Sequence, residues 1–165
     1  MKRSSKPRHY WDSCTFLAVL KNEDDKIGEC LSVMKAAEAG EIIIVTSALT
    51  FIEVIKLEKG KPKLSKDDVE GKIRSFFKHE WIYVHEVDRK IGELARDLMW
   101  QYESLKPKDA THVATAIWTK VDVLETFDDE LIKLSGTIGD PLLRITRPYL
   151  PNQLELFDDI NNTLG

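Results

Sequence analysis

The fold class of this chain is decided by residues 108–131, KDATHVATAIWTKVDVLETFDDEL. The first half has helical periodicity, which puts Asp109 and His112 on the same face as Val113 and the apolar residues that follow. The second half contains a β-branched run at 121–124, which is typical of a strand buried in a parallel sheet. A helix that leads into such a strand predicts an α/β unit, and it places an acid on the face that should be buried.

The rest of the chain repeats this alternation of strands and helices. Further strands are predicted at residues 9–11, 41–45, 81–87 and 142–146, with amphipathic helices between them. The run at 41–45 is apolar on both faces, which predicts a central strand of a parallel sheet. We therefore predict a three-layer α/β/α fold with a central, mainly parallel sheet of four to five strands.

Length and composition set the limits of the fold and of the partners. At 165 residues with 42% hydrophobic content, the chain fits one domain, which we expect at residues 8–147, followed by a C-terminal tail at 148–165. With two cysteines and no apolar stretch near the ~20 residues of a membrane span, we expect a cytoplasmic protein. A net charge of −4 means that a nucleic acid would have to be held by local basic patches.

Four acids are predicted to meet at one edge of the sheet. Asp12 ends the first strand and Asp128 follows the fourth, so both lie at the carboxyl edge of parallel strands. Glu53 lies early in the helix after the second strand, and Asp109 lies in the first turn of a helix that runs antiparallel to the strands. Taken alone, Glu53 would be read as a surface residue paired with Lys56.

Carboxylates brought together in this way need protons or cations. Each pair a few ångströms apart would repel by about 1 to 4 kcal/mol at effective dielectric constants of about 80 to 20. A hard, oxygen-liganded Mg²⁺ or Mn²⁺ ion would relieve this repulsion. Such an ion can also activate water and stabilise the charge that develops on a phosphodiester. The constellation therefore predicts nuclease chemistry.

Four motifs, in this order along the chain, resemble those of PIN-domain ribonucleases, especially VapC-type toxins. They are Tyr-Trp-Asp-Ser at 10–13, the segment from Ser47 to Glu53 that follows a strand, Asp-Ala-Thr-His-Val-Ala-Thr-Ala at 109–116, and Thr-Phe-Asp at 126–128. The resemblance runs from about residue 8 to 147. It rests on the ordered set of motifs and their spacing rather than on any one of them.

The resemblance implies an endoribonuclease that uses Mg²⁺ or Mn²⁺ and acts on RNA. It implies four residues as the catalytic and metal-binding acids: Asp12, Glu53, Asp109 and Asp128. It also implies a homodimer and an antitoxin protein whose segment blocks the site. Asp129 is a further candidate metal ligand beside Asp128.

Three polar residues of these motifs are candidates for contact with the substrate: Ser13, His112 and Thr126. His112 would touch a phosphate or orient an acid, and its alternative role is helix packing. Thr126 would hold a water molecule or a carboxylate, and its alternative is a hydroxyl bonded to the backbone at the end of a strand.

The tail and the fold leave alternative functions open. Gln-Leu-Glu-Leu-Phe, from Gln153 to Phe157, resembles the short peptide by which bacterial replication proteins dock on the sliding clamp, although such a tail also packs readily on its own domain. The alternatives are a DNA-maintenance nuclease tethered by this tail and a non-catalytic nucleic-acid or protein-binding module. A phosphotransfer receiver domain is disfavoured, because the first strand ends in a lone Asp12 where such proteins cluster two acids.

Overall fold

The computed structural model describes residues 6–54 and 66–149. Within these residues five strands form one sheet, and every neighbouring pair is parallel. The strands are β1 (Arg8–Trp11), β2 (Ile43–Ser47), β3 (Ile82–His85), β4 (Val123–Glu125) and β5 (Ile145–Thr146). The order across the sheet is β3-β2-β1-β4-β5, so β1 lies at its centre. The predicted parallel sheet of four to five strands is confirmed with five.

Helices cover both faces of the sheet, which confirms the predicted three layers. The helices are α1 (Ser13–Leu20), α2 (Ile27–Glu38), α3 (Leu49–Glu53), α4 (Lys66–Phe76), α5 (Arg89–Gln101), α6 (Pro107–Trp118) and α7 (Asp129–Ile132). Across the part of the chain that the structure describes, no helix is long and apolar enough to cross a membrane.

Alternate side chains of the central strand enter two separate cores. Tyr10 packs with residues of α5 and α6 such as Ile91 and Val113. Trp11 packs on the opposite face with residues of α1 and α2 such as Phe16. This period of two follows from the pleat of a strand, and both faces of β1 are buried. The two faces therefore bring different residues to the edge where the strands end.

Three strand boundaries predicted from apolar runs were wrong. β2 begins and ends two residues later than predicted, at 43–47, and Glu41 is exposed. β3 is shorter than the predicted 81–87. β5 contains only Ile145 and Thr146, and Leu142, which begins the predicted strand, is 63% exposed and lies outside the sheet. Apolar runs indicate burial, whereas a strand is bounded by the residues that pair with a neighbour.

The start of one helix and the end of another differ from the sequence prediction. Ser13 and Thr15 are available in the sequence to cap the first helix, but Asp12 is the N-cap of α1, where its side chain accepts a hydrogen bond from the backbone N–H of Thr15. The helix after β2 ends at Glu53, which makes Glu53 the last residue of a five-residue helix and not an interior one. Residues 65–68 resemble a capping box in the sequence, and this motif begins outside the described residues.

A buried polar cluster lies beneath the sheet, on the side of α1 and α2. Glu125 of β4 is fully buried and accepts hydrogen bonds from Nε1 of Trp11 at 2.6 Å and from the backbone N–H of Tyr149 at 3.1 Å. Its Oε1 also lies 2.9 Å from Nδ1 of His9, a neighbour of β4 across the sheet. Neither Glu125 nor His9 carries a signal of this role in the sequence. Together they join β1, β4 and the end of the described chain.

Candidate active site

The end of β1 fixes Asp12 at the start of α1. Trp11, the last residue of β1, pairs in register with Glu125, the last residue of β4. Asp12 and Thr126, which follow the two strands, therefore lie side by side. Oδ2 of Asp12 accepts a hydrogen bond from the hydroxyl of Thr126 at 2.5 Å, and its Oδ1 accepts from the backbone N–H of Thr15 at 3.2 Å. The carboxylate is 5% exposed and lies at a helix N-terminus, where the helix dipole favours negative charge.

Thr126 also connects Asp12 to Asp128. The same hydroxyl oxygen that donates to Asp12 accepts a hydrogen bond from the backbone N–H of Asp128 at 3.0 Å. Asp128 lies three residues beyond the end of β4 and caps α7, with Oδ1 accepting from the backbone N–H of Glu130 at 2.9 Å. The Thr126 hydroxyl therefore links the start of α1, which carries Asp12, to the loop before α7, which carries Asp128.

Glu53 is buried at the same edge, where it is held by residues of α6 and α1. Its Oε2 lies 2.6 Å from Nε2 of His112, and its Oε1 accepts from Nζ of Lys108 at 2.9 Å. Burial alone would raise the pKa of Glu53, but hydrogen bonds from His112, Lys108 and Ser13 outweigh it and hold the pKa at about 2. Glu53 is therefore ionised at neutral pH.

Glu53 lies at the edge of the sheet, as expected from the order of the elements, and not at the surface, as its helical spacing with Lys56 alone would suggest. Its side chain is 10% exposed, and its ion pair is with Lys108, fifty-five positions along the chain. Lys56, the partner expected from helical spacing, lies outside the described residues.

Asp109 lies close enough to the other three acids for their charges to affect its pKa. It lies in the first turn of α6, as predicted. Burial raises its pKa, and the negative charges of Asp128, Asp12 and Glu53 raise it further, against the opposing effect of His112. The carboxylate of Asp109 is thus within the field of the other three. Asp129, by contrast, is exposed at the start of α7.

The donor chemistry of this edge fits a hard divalent cation. Four carboxylates supply oxygen ligands, and the repulsion that raises the pKa of Asp109 is what such a cation would relieve. As the side chains stand, however, residues 6–54 and 66–149 contain no group of three His, Cys, Asp or Glu that could hold a metal ion. Metal binding would therefore require the carboxylates to move closer together.

Two residues beside the acidic edge carried no signal of a role in the sequence. Cys14, whose sequence context favours burial as a small hydrophobe, donates from Sγ to Oδ1 of Asp12 at 2.9 Å, and its Sγ lies 3.3 Å from the hydroxyl of Thr126. Burial and the charge of Asp12 raise the pKa of the Cys14 thiol well above its usual value. Tyr10, whose hydroxyl lies 2.7 Å from Nδ1 of His112, gave no signal beyond its place in a strand.

The depressed pKa of Glu53 predicts a loss of stability in acid. The unfolded glutamate takes up a proton as pH falls below about 4.5, whereas the folded one resists protonation until about pH 2. Its contribution is therefore present above pH 4.5 and is lost as pH falls towards 2. We expect the difference in unfolding free energy between wild type and Glu53→Gln to shrink from pH 6 to pH 3 in urea titrations without added metal.

The control for this titration is Glu93→Gln, which changes an exposed glutamate of α5. Its stability difference from wild type should stay nearly constant over the same range. Parallel curves for wild type and Glu53→Gln would contradict the prediction.

Comparisons with known proteins agree with this arrangement. A model of the PIN domain family matches residues 10–136. Among solved structures, a toxin–antitoxin complex from Klebsiella pneumoniae contains a chain with a TM-score of 0.56 and 19% sequence identity, over 86% of this chain and 98% of that chain. VapC20 of Mycobacterium tuberculosis, described as a toxin that cleaves the sarcin-ricin loop, has a TM-score of 0.57 and 16% identity, over 74% and 91%. No curated protein matches the chain.

Proposed function

The chain belongs to the PIN domain family, and from this we propose that it is a metal-dependent endoribonuclease that hydrolyses phosphodiester bonds at the four-acid edge. The observation that supports the proposal is that the Thr126 hydroxyl bonds both the Asp12 carboxylate and the backbone of Asp128 at the carboxyl edge of the sheet. Burial and the charges of Asp128, Asp12 and Glu53 also raise the pKa of Asp109 at this edge, against the opposing charge of His112. A structural carboxylate would be expected to have mainly cations or hydrogen-bond donors as neighbours.

We assign Mg²⁺ or Mn²⁺ to Asp12, Asp109 and Asp128, with Glu53 beside them. When bound, the ion would lower the pKa of a water molecule and stabilise charge on the phosphodiester. The protein orients the donors: the α1 N-terminus and Thr126 fix Asp12, and the start of α7 fixes Asp128.

Glu53 has a different role in this proposal, because its pKa is about 2. A carboxylate with so low a pKa is a poor acceptor of a proton at neutral pH. Glu53 therefore keeps its negative charge, and its proposed role is to hold a cation or a water molecule. Its second oxygen is held by the half-exposed Lys108, whose ammonium group an incoming ion would have to replace or share.

RNA would approach this acidic edge past a local group of cations. Phe127, between Thr126 and Asp128, has Nζ of Lys26 5.6 Å and the guanidinium carbon of Arg147 5.8 Å from its ring centre. We name these three residues the Phe127 rim. Since the chain has a net charge of −4, RNA binding needs such local cations. Aromatic and basic side chains together favour single-stranded RNA.

Replacing Arg147 by glutamine should weaken RNA binding and make it less sensitive to salt. Each phosphate contact that is lost should reduce the slope of log affinity against log salt concentration by about 0.7 for a single strand. Fluorescence anisotropy of a labelled RNA in EDTA measures this without cleavage. Lys35→Gln, which removes an exposed cation in the last turn of α2, is the control. An unchanged slope in Arg147→Gln would remove Arg147 from the RNA path.

The test of the proposed activity is cleavage of a mixed panel of single-stranded and structured RNAs and DNAs with Mn²⁺ or Mg²⁺. We expect RNA to be cut, with activity lost in EDTA and restored by the metal. Equal activity in wild type and Asp12→Asn would indicate a contaminant and would favour the non-catalytic binding module. Cleavage restricted to DNA would favour the DNA-maintenance alternative.

The family relationship also supports proposals about partners. One structural neighbour comes from a toxin–antitoxin complex, so we propose that this chain acts in the cytoplasm as a toxin and that an antitoxin protein covers the acidic edge. We propose a homodimer, which light scattering during size-exclusion chromatography would detect. The clamp-binding motif from Gln153 to Phe157 lies outside the described residues and stays a prediction.

A further inference from the structure

His112 lies buried between the central strand and the acidic edge. It is 2% exposed, and each of its two ring nitrogens has a side-chain neighbour on a different element. Nδ1 lies 2.7 Å from the hydroxyl of Tyr10 on β1, and Nε2 lies 2.6 Å from Oε2 of Glu53 on α3. A histidine held in this way has no nitrogen free to contact a phosphate.

We infer that Tyr10 and His112 form a positioning pair that fixes the Glu53 carboxylate at the acidic edge where the metal is proposed to bind, so that His112 orients an acid and does not contact the substrate. The inference rests on the proposed function for its catalytic consequence. The geometric evidence is the series of hydrogen bonds from Tyr10 on β1 through His112 on α6 to Glu53 on α3.

The direction of these hydrogen bonds follows from the chemistry of the groups. An ionised carboxylate can only accept, so the hydrogen between His112 and Glu53 is carried by Nε2 of the imidazole. Tyr10 is fully buried in the core and prevents the ring from turning over, because turning would take Nδ1 away from the phenol. Partners of this kind orient a metal ligand from behind, and their loss typically costs about 10-fold to 100-fold in metal affinity or activity.

Lys108 holds the same carboxylate from the opposite, accessible side. Its Nζ donates to Oε1, and its side chain is 49% exposed, whereas the side chain of His112 is buried. Oε2 is thus fixed by a buried group, whereas Oε1 is held by a cation at the surface. Loss of His112 should weaken metal binding, whereas loss of the Lys108 charge should strengthen it, because a positive charge beside the ion is removed. A purely structural role for both residues would not produce opposite signs.

The experiment measures Mn²⁺ affinity by calorimetry in Tyr10→Phe, His112→Gln, His112→Leu and Lys108→Met. Tyr10→Phe keeps the ring in the core and removes only the hydroxyl. We expect about tenfold weaker Mn²⁺ binding in Tyr10→Phe and His112→Leu, and tighter binding than wild type in Lys108→Met. His112→Gln should recover part of the affinity lost in His112→Leu, because its amide can donate to Oε2. In cleavage assays of Tyr10→Phe and His112→Leu, kcat should fall while KM for RNA stays near the wild-type value.

Two matched substitutions control for the chemistry of the changes. Tyr83→Phe removes a hydroxyl from a tyrosine that is 47% exposed on β3, and His79→Gln replaces an exposed histidine that stacks on Trp81 at 4.7 Å. Both should bind Mn²⁺ as wild type does. If folded Tyr10→Phe, with a wild-type melting temperature, also bound Mn²⁺ as wild type does, the inference would be overturned.

A nitrogen NMR measurement separates failure of this inference from failure of the proposed function. We expect Nε2 of His112 to carry a hydrogen in the metal-free wild type. A hydrogen on Nδ1 alone would overturn the inference, whatever the activity. If wild type neither bound Mn²⁺ nor cut RNA, the proposed function would fail, and the NMR result would still decide whether His112 donates to Glu53.

Discussion

Asp109→Asn is expected to abolish metal-dependent cleavage and, at the same time, to make the metal-free protein more stable. A metal ligand contributes several kcal/mol to a reaction of this kind, so activity should fall by at least about 100-fold. Stability should rise because the charge of Asp109 is destabilised by burial and by Asp128, Asp12 and Glu53, and asparagine carries no charge. Cleavage assays and urea unfolding in EDTA at pH 7 measure the two effects.

The gain in stability should depend on pH in a defined direction. At pH values above the raised pKa of Asp109, the ionised carboxylate lowers the unfolding free energy of wild type, so the variant should be the more stable protein. Below the ordinary pKa of about 3.8 the wild-type carboxyl is protonated in both states, and the gain should vanish. Asp97→Asn, an exposed aspartate of α5, is the control and should change neither property. Retained cleavage in Asp109→Asn would contradict the site assignment.

Asp12→Asn should lose activity as well, but its stability should change in the opposite direction. Oδ1 and Oδ2 of Asp12 accept hydrogen bonds from Thr15, Cys14 and Thr126. Asparagine removes the negative charge that accepts these hydrogen bonds and leaves one oxygen acceptor where the carboxylate offered two, so the N-cap and its link to β4 would weaken. The two aspartates can therefore be distinguished by unfolding measurements even when both variants are inactive.

Glu125→Leu is expected to be the most destabilising of the single substitutions considered. It removes the acceptor for Trp11 Nε1 and the backbone N–H of Tyr149, as well as the carboxylate beside His9, in a fully buried cluster. Leaving a buried donor without an acceptor typically costs about 1 to 3 kcal/mol for each donor. For a chain of this size we expect the melting temperature to fall by roughly 10 °C. Thermal unfolding followed by circular dichroism measures it.

Two further variants test the reason for this loss. Glu125→Gln keeps one oxygen acceptor and nearly the same volume, so its melting temperature should lie between those of wild type and Glu125→Leu. Glu86→Leu, which makes the same change at an exposed position after β3, should have little effect. If Glu125→Leu had the same melting temperature as wild type, hydrogen bonding in this cluster would not contribute to stability.

The place of the acids could be predicted because topology alone determines it. Parallel strands end at one edge, and the helix before β4 must begin there, so Asp12, Asp109 and Asp128 follow from the order of elements. No distances were needed for this step. The register of Trp11 with Glu125 then sets which loop residues face each other.

The partners of the acids could not be predicted, because they come from distant parts of the chain. Local spacing offered Lys56 to Glu53, whereas the structure supplies Lys108 and His112, more than fifty positions away. Glu125 is the last residue of β4, and nothing near it in the sequence indicates that His9, 116 positions earlier, is its neighbour. Long-range hydrogen bonds between single side chains leave no periodic signal.

The state of the two cysteines has a practical consequence for labelling. Burial and Asp12 keep the Cys14 thiol protonated, and burial raises the pKa of Cys30, which is completely inaccessible, to about 12. Maleimides and similar reagents attack thiolates, so both native thiols should react slowly in the folded protein. A cysteine introduced on an exposed helix face could then receive a fluorophore or spin label in the native background. Distances across the acidic edge would become measurable without first mutating a thiol that donates to Asp12.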